Sequence, residues 1–85
     1  MNEKPITLDV LKDIAENGLV NEIQARELPN GSGYHLIART RKMTRVLHLS
    51  RHRALPRLFK SLDAIADNCR EMGIKRFEVV GLSNL

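Results

Sequence analysis

Positive charge is concentrated in the middle of this 85-residue chain. Residues 28–60 contain eight Lys and Arg residues and no acid, although the net charge of the whole chain is only +4. Cations attract phosphate groups most strongly where no carboxylate competes, so this pattern favours the binding of a polyanion such as DNA. The candidate nucleic-acid-binding residues are Arg39, Arg41, Lys42, Arg45, Arg51, His52, Arg53 and Arg57.

A solvated basic surface that only keeps the protein soluble is the simpler interpretation of the same residues. Such surfaces usually mix acids with bases, whereas here the acids are confined to residues 1–27 and 63–78. Binding is therefore favoured, and both interpretations stay open at this point.

Catalytic and metal chemistry are not expected. The three histidines, His35, His48 and His52, have no cysteine or carboxylate at the spacing of a zinc site. Cys69 falls on an apolar helical stripe, where a buried and inert thiol is usual. His48 and Ser50 could suggest nucleophilic chemistry, but no carboxylate between residues 28 and 62 could orient the base. We expect no enzyme activity, metal or cofactor.

Two helices are predicted to hold this segment in place. Helix 1 should cover about residues 8–17, with Thr7 as a hydroxyl cap and Gly18 as its end. Helix 2 should begin after Ser61 and close at Gly73. Its apolar stripe, in which no polar residue is expected, consists of Leu62, Ile65, Ala66, Cys69 and Met72.

Strands are indicated by apolar residues that alternate with polar ones, with turns between them. The predicted strands cover residues 19–28, 34–39, 45–49 and 76–80. Residues 55–59, within the basic segment, could add a short strand between the third and the last of these. Pro29 to Gly33 is typical of a hairpin turn and lacks the lysine of a phosphate loop. Thr40 to Met43 is predicted to reverse the chain, and Tyr34 shares the core register of Leu36 and Ala38.

The predicted fold is therefore α+β: helix, three or four antiparallel strands, helix, strand. Both helices should pack on one face of the sheet and leave the other face wet. A chain this short supports one core, so we expect a single domain over residues 1–85 with an ordered core at 6–80. One cysteine, no apolar span and a polar start indicate a cytoplasmic protein.

Several short segments resemble the small ParC-type partition-associated proteins of bacterial plasmids, over about residues 6–80. The likeness is carried by Ile6-Thr7-Leu8, Ile14-Ala15-Glu16 with Gly18, Arg45-Val46-Leu47, Arg57-Leu58-Phe59, Ser61-Leu62-Asp63, and Gly73-Ile74-Lys75-Arg76-Phe77-Glu78-Val79. The resemblance implies a plasmid-maintenance accessory that acts beside a partition ATPase and a centromere-binding protein, with no catalytic residues to carry over.

Residues 34–72 are also similar to the three-stranded sheet and helix with which the arm-binding domains of tyrosine recombinases read DNA. The first helix and the strand around Phe77 do not fit that unit.

Two functions are consistent with these observations. The first is a DNA-binding or nucleoprotein-binding accessory of plasmid partition that uses its basic surface. The second is a protein adaptor that docks the same surface on an acidic partition protein without touching DNA. We expect no membrane and no small-molecule substrate as partners, and a homodimer is possible.

Overall fold

A computed structural model describes residues 3–50 and 53–81. The elements follow one another as β1 (Glu3–Ile6), α1 (Leu8–Glu16), β2 (Val20–Glu27), β3 (Tyr34–Thr40), β4 (Thr44–Ser50), β5 (Arg53–Pro56), α2 (Leu62–Glu71) and β6 (Glu78–Val80). The α+β class, both helices and the strands predicted at 19–28, 34–39, 45–49 and 76–80 are confirmed, whereas the short strand expected at 55–59 lies earlier, at Arg53–Pro56. Neither helix of the described residues is long and apolar enough to cross a membrane.

The sheet is mixed, whereas an antiparallel sheet was predicted. Its strand order is β1-β4-β3-β2-β6, and β5 pairs with β4 as well. The central strands β2, β3 and β4 are antiparallel, but β1 runs parallel to β4 and β6 runs parallel to β2. Each parallel strand is joined to the central strands through a helix, because a parallel neighbour requires a crossover connection.

Both helices cover the same face of this sheet. Leu11 of α1 and Ile65, Cys69 and Met72 of α2 join one buried cluster with Ile6, Ile23, Ala25, Leu36, Ala38, Leu47 and Phe59. We call this the covered face and the opposite side the open face. The helix 2 stripe is confirmed at its centre, while Leu62 and Ala66 are only partly buried.

The Thr7 cap and the polar content of the helix 2 stripe differ from the prediction, whereas the Ser61 cap agrees with it. Thr7 occupies the first cap position, but its hydroxyl donates to a carboxylate oxygen of Asp9 at 2.6 Å and does not cap the backbone. Ser61 does cap helix 2, because its Oγ accepts from the Ala64 N–H at 3.1 Å. The stripe also contains a polar residue, Asn68, which is buried with no hydrogen-bond partner for Oδ1 among the described residues.

The open face is not uniformly wet, contrary to the prediction. Ile37 and Val46 form a cross-strand pair that lies opposite the covered cluster, and they are 0% and 6% exposed. Pro5 and Gln24 continue the same row on the flanking strands. These two residues are therefore buried without belonging to the cluster that the helices cover.

The Pro29–Gly33 hairpin turn is confirmed. The N–H of Leu28 donates to the Gly33 oxygen at 2.9 Å, and Asn30 Oδ1 accepts from the Ser32 N–H at 3.0 Å. Gly33 has φ +144, and a Cβ at this position would overlap the carbonyl oxygen of Phe59. Phe59 pairs with Tyr34 in both directions at 2.8 and 2.9 Å, so Gly33 allows the chain after β5 to approach β3.

Candidate nucleic-acid interface

The β3–β4 turn is tightly closed by one threonine. The Thr40 N–H donates to the Met43 oxygen at 3.0 Å, and Thr40 Oγ1 both donates to that oxygen at 3.1 Å and accepts from the Met43 N–H at 3.3 Å. A side chain that bonds to the nearby backbone in this way is a common means of ordering a turn. The polar reversal predicted at Thr40 to Met43 is thereby confirmed.

This turn presents two adjacent cations at one end of the sheet, where it joins the inner strands β3 and β4. Arg41 and Lys42 are both exposed, and neither side chain forms a hydrogen bond or ion pair with another described residue. Two unpaired cations on an ordered turn can approach a phosphate without first breaking an internal contact. We refer to Arg39, Arg41 and Lys42 together as the hairpin cations.

Arg39 differs from the other hairpin cations, because it lies beside an acid. It is exposed near the end of β3 on the open face, where its cross-strand partner is Glu22 of β2. Its charge contributes to lowering the pKa of Glu22, although a hydrogen bond with Glu78 and one from Gln24 contribute more. The separation of acids from bases along the sequence is therefore not kept in space around Arg39.

Arg45 belongs to the fold and does not extend the hairpin cations. It shares the covered face with Leu47 and Ala38, where it is partly buried. Its Nη2 donates to the Pro5 carbonyl oxygen at 3.1 Å and its Nη1 contacts the Met43 sulfur at 3.5 Å. Nε is buried without a partner among the described residues. Arg45 thus fastens β1 to β4.

Arg57 is also held by packing. Its guanidinium carbon lies 4.8 Å from the centroid of the Phe59 ring, a cation–π distance. The backbone N–H of Arg57 donates to the Leu47 carbonyl oxygen at 2.8 Å. The side chain is partly buried, so Arg57 stiffens the segment after β5 and presents less of its charge to solvent than the hairpin cations do.

Three further candidate residues, Arg51, His52 and Arg53, lie largely outside the described residues. Arg51 and His52 lie outside the described residues, and for Arg53 only the backbone is described, which pairs with Ser50 in the β4–β5 hairpin. The eight candidate residues are therefore not one surface in the described part of the chain. Three of them gather at one hairpin end, and two are packed elsewhere.

Of the three histidines, His52 lies outside the described residues, and only the backbone of His48 is described. Among residues 3–50 and 53–81, no three His, Cys, Asp or Glu side chains come together as a metal-binding group. Cys69 is buried, and this burial raises the pKa of its thiol, which keeps the sulfur protonated.

Sequence reasoning missed a second feature of this end of the sheet, an acidic pair formed by Glu22 and Glu78. The pKa of Glu78 is raised by its hydrogen bond to Glu22 and by the negative charge of that residue. Gln24 Nε2 donates to Glu22 Oε2 at 2.8 Å. The two acids are 56 positions apart, and only the parallel register of β2 and β6 brings them together.

The chain was also compared with known proteins. No protein-family model matches it, and no curated protein matches it significantly.

Proposed function

We propose that this protein is a non-enzymatic accessory of plasmid partition that contacts the phosphate backbone of duplex DNA through the hairpin cations. The observation that carries the DNA-binding part is the ordered β3–β4 turn with Arg41 and Lys42 exposed at its tip. The partition part rests on the resemblance of residues 6–80 to ParC-type accessory proteins.

The exposure of the β3–β4 turn supports this proposal. β3 and β4 lie between β2 and β1 in the sheet, so the turn itself, and not a free two-stranded ribbon, would meet a DNA surface. Cations on such a turn can reach phosphates of the duplex backbone, and phosphate contacts supply most of the sequence-independent affinity. Arg45 and Arg57, which the fold already uses, are not part of the proposed contact.

The first test measures duplex binding by fluorescence anisotropy over a range of salt concentrations. In R41A/K42A, the slope of log affinity against log salt should fall by about 0.9 for each lost contact. The double variant should weaken binding to all sequences similarly, because phosphate contacts carry no base information.

A matched control also removes one lysine and one arginine, but from the helices. Lys12 of α1 and Arg70 of α2 are both exposed, and Arg70 forms an ion pair with Asp67 of its own helix. K12A/R70A should leave the salt slope of the parent unchanged. An equal decrease in both double variants would mean that net charge alone matters, and the hairpin would then not be the contact.

A protein adaptor is the second candidate function, and the charges around Arg39 favour it. Arg39 lies beside Glu22 and Glu78, and a mixed-charge surface suits a complementary protein surface better than it suits a polyanion. Retention of a partition protein after nuclease treatment of a host lysate, together with no duplex binding at low salt, would support the adaptor over the DNA contact.

A further inference from the structure

The two end strands of the sheet differ in how they present their outer edges. In β1, Lys4 and Pro5 are exposed, and Pro5 has no N–H to offer to another strand. Charges and proline are the usual means by which proteins protect an edge from pairing. The β1 edge is therefore blocked.

The β6 edge is protected less, because it contains one charge, Glu78, and no proline. Its only partner strand in the described chain is β2. Val79 and Val80 are 52% and 41% exposed, although both belong to a residue type that favours the interior of a sheet. An end strand with unpaired backbone groups and exposed valines is a ready template for another strand.

The charges around β6 alternate in a way that suits a second copy of the same strand. Arg76 is exposed just before the strand, and Glu78 is its first residue. The two are symmetric about Phe77. When the segments around β6 of two copies run antiparallel and pair at Phe77, which is the residue just before the strand, Arg76 of each copy lies opposite Glu78 of the other.

We propose that the β6 edge is a self-association surface, on which a second copy pairs antiparallel around a two-fold axis at Phe77. An isologous interface of this kind requires a self-complementary surface, and the two Arg76–Glu78 pairs provide one. The same register places the aliphatic stem of Lys75 against exposed Val79 of the second copy. A register centred on Val79 would instead place Glu78 opposite Val80 of the second copy, so no opposite charges would be paired.

The acidic pair gives this arrangement an additional source of stabilisation. In a single copy, Glu78 lies against Glu22, and its attraction to Arg39 and Arg76 offsets only part of the repulsion. Arg76 of a second copy would bring another cation to these acids. Because so short a strand buries less than the roughly 1,200–2,000 Å² of a standard interface, the dimer should be weak and dependent on concentration. The proposal does not depend on DNA binding.

Sedimentation equilibrium of the full chain over a wide concentration range tests the proposal. The parent should form a dimer, and R76E and E78R should each weaken it by about tenfold, because each places like charges opposite one another twice. The double variant R76E/E78R restores both opposite-charge pairs and should recover the affinity of the parent.

Val79 and Val10 provide a second, independent pair of variants. Val10 on α1 is 39% exposed, so Val10→Lys introduces the same charge on a comparably exposed valine. Val79→Lys should weaken the dimer, since it faces Lys75 of the second copy, and Val10→Lys should not. Circular dichroism of each variant confirms that it is folded.

Three outcomes would overturn the proposal. The parent could sediment as a monomer at every concentration, the dimer could be insensitive to R76E and Val79→Lys, or the charge-swapped double variant could fail to recover affinity. The second outcome would assign self-association to another surface, and the third would exclude the register at Phe77.

Discussion

The covered and open faces of the sheet both bury aliphatic side chains, but they do so by different means. On the covered face, two amphipathic helices contribute Leu11, Ile65, Cys69 and Met72 to one cluster. On the open face, the Ile37–Val46 pair is buried within the sheet, among strand residues such as Gln24. The first kind of burial follows from helical periodicity. The second depends on the register of four strands.

The largest expected effect lies on the covered face. Ile65 is fully buried in the centre of the helix 2 stripe, so Ile65→Ala should cost roughly 2–5 kcal/mol of unfolding free energy. Urea denaturation measures this loss. Leu55→Ala, at a leucine that is 56% exposed, is the control and should stay within about 0.5 kcal/mol of the parent. Similar losses in both variants would show that the stripe is not core.

A smaller loss is expected on the open face. Ile37 is also fully buried, but no residue of either helix belongs to its cross-strand row, so side chains and water can fill the space it leaves. Ile37→Ala should therefore cost about 2 kcal/mol, near the low end for such substitutions. A loss equal to that of Ile65→Ala would mean that the two faces are packed alike.

The same distinction explains how much of the fold could be predicted from the sequence. The centre of the helix 2 stripe, the Ser61 cap and the Pro29–Gly33 turn are local patterns, and all three are confirmed. β1 was missed, because four residues with a central proline show no alternation. Its partner, β4, lies about forty positions away, and no local signal reports a parallel pairing over that distance.

The candidate site likewise combines features that local sequence predicts and features that depend on strand register. Its exposed cations at the β3–β4 turn could be found from composition and turn chemistry, since Thr40 to Met43 is a local reversal. The packing of Arg45 against Pro5 and the position of Glu22 beside Arg39 depend on strand register, and these contacts were not predicted. A basic segment in a sequence therefore overstates the basic surface, because the fold uses some of its arginines.

The smallest expected effect concerns the acidic pair on the open face and its dependence on pH. The pKa of Glu78 is raised by its hydrogen bond to Glu22, so its contribution to stability is present at low pH and is lost as pH rises through that raised value. The pKa of Glu22 is lowered, chiefly by the same hydrogen bond, so its contribution is lost only as pH falls through that lowered value. The pair is therefore most stabilising near the ordinary glutamate pKa of about 4.3.

Glu78→Gln should remove this dependence, because an amide N–H donates to Glu22 at any pH and adds no second negative charge. At neutral pH the variant should have a higher urea midpoint than the parent, and the difference should shrink as pH falls through the raised pKa of Glu78. Both proteins are measured at concentrations where the monomer predominates. Glu71→Gln, an equal charge change on the exposed side of α2, is the matched control. An equal gain from Glu71→Gln would attribute the effect to net charge and leave the acidic pair without a role in stability.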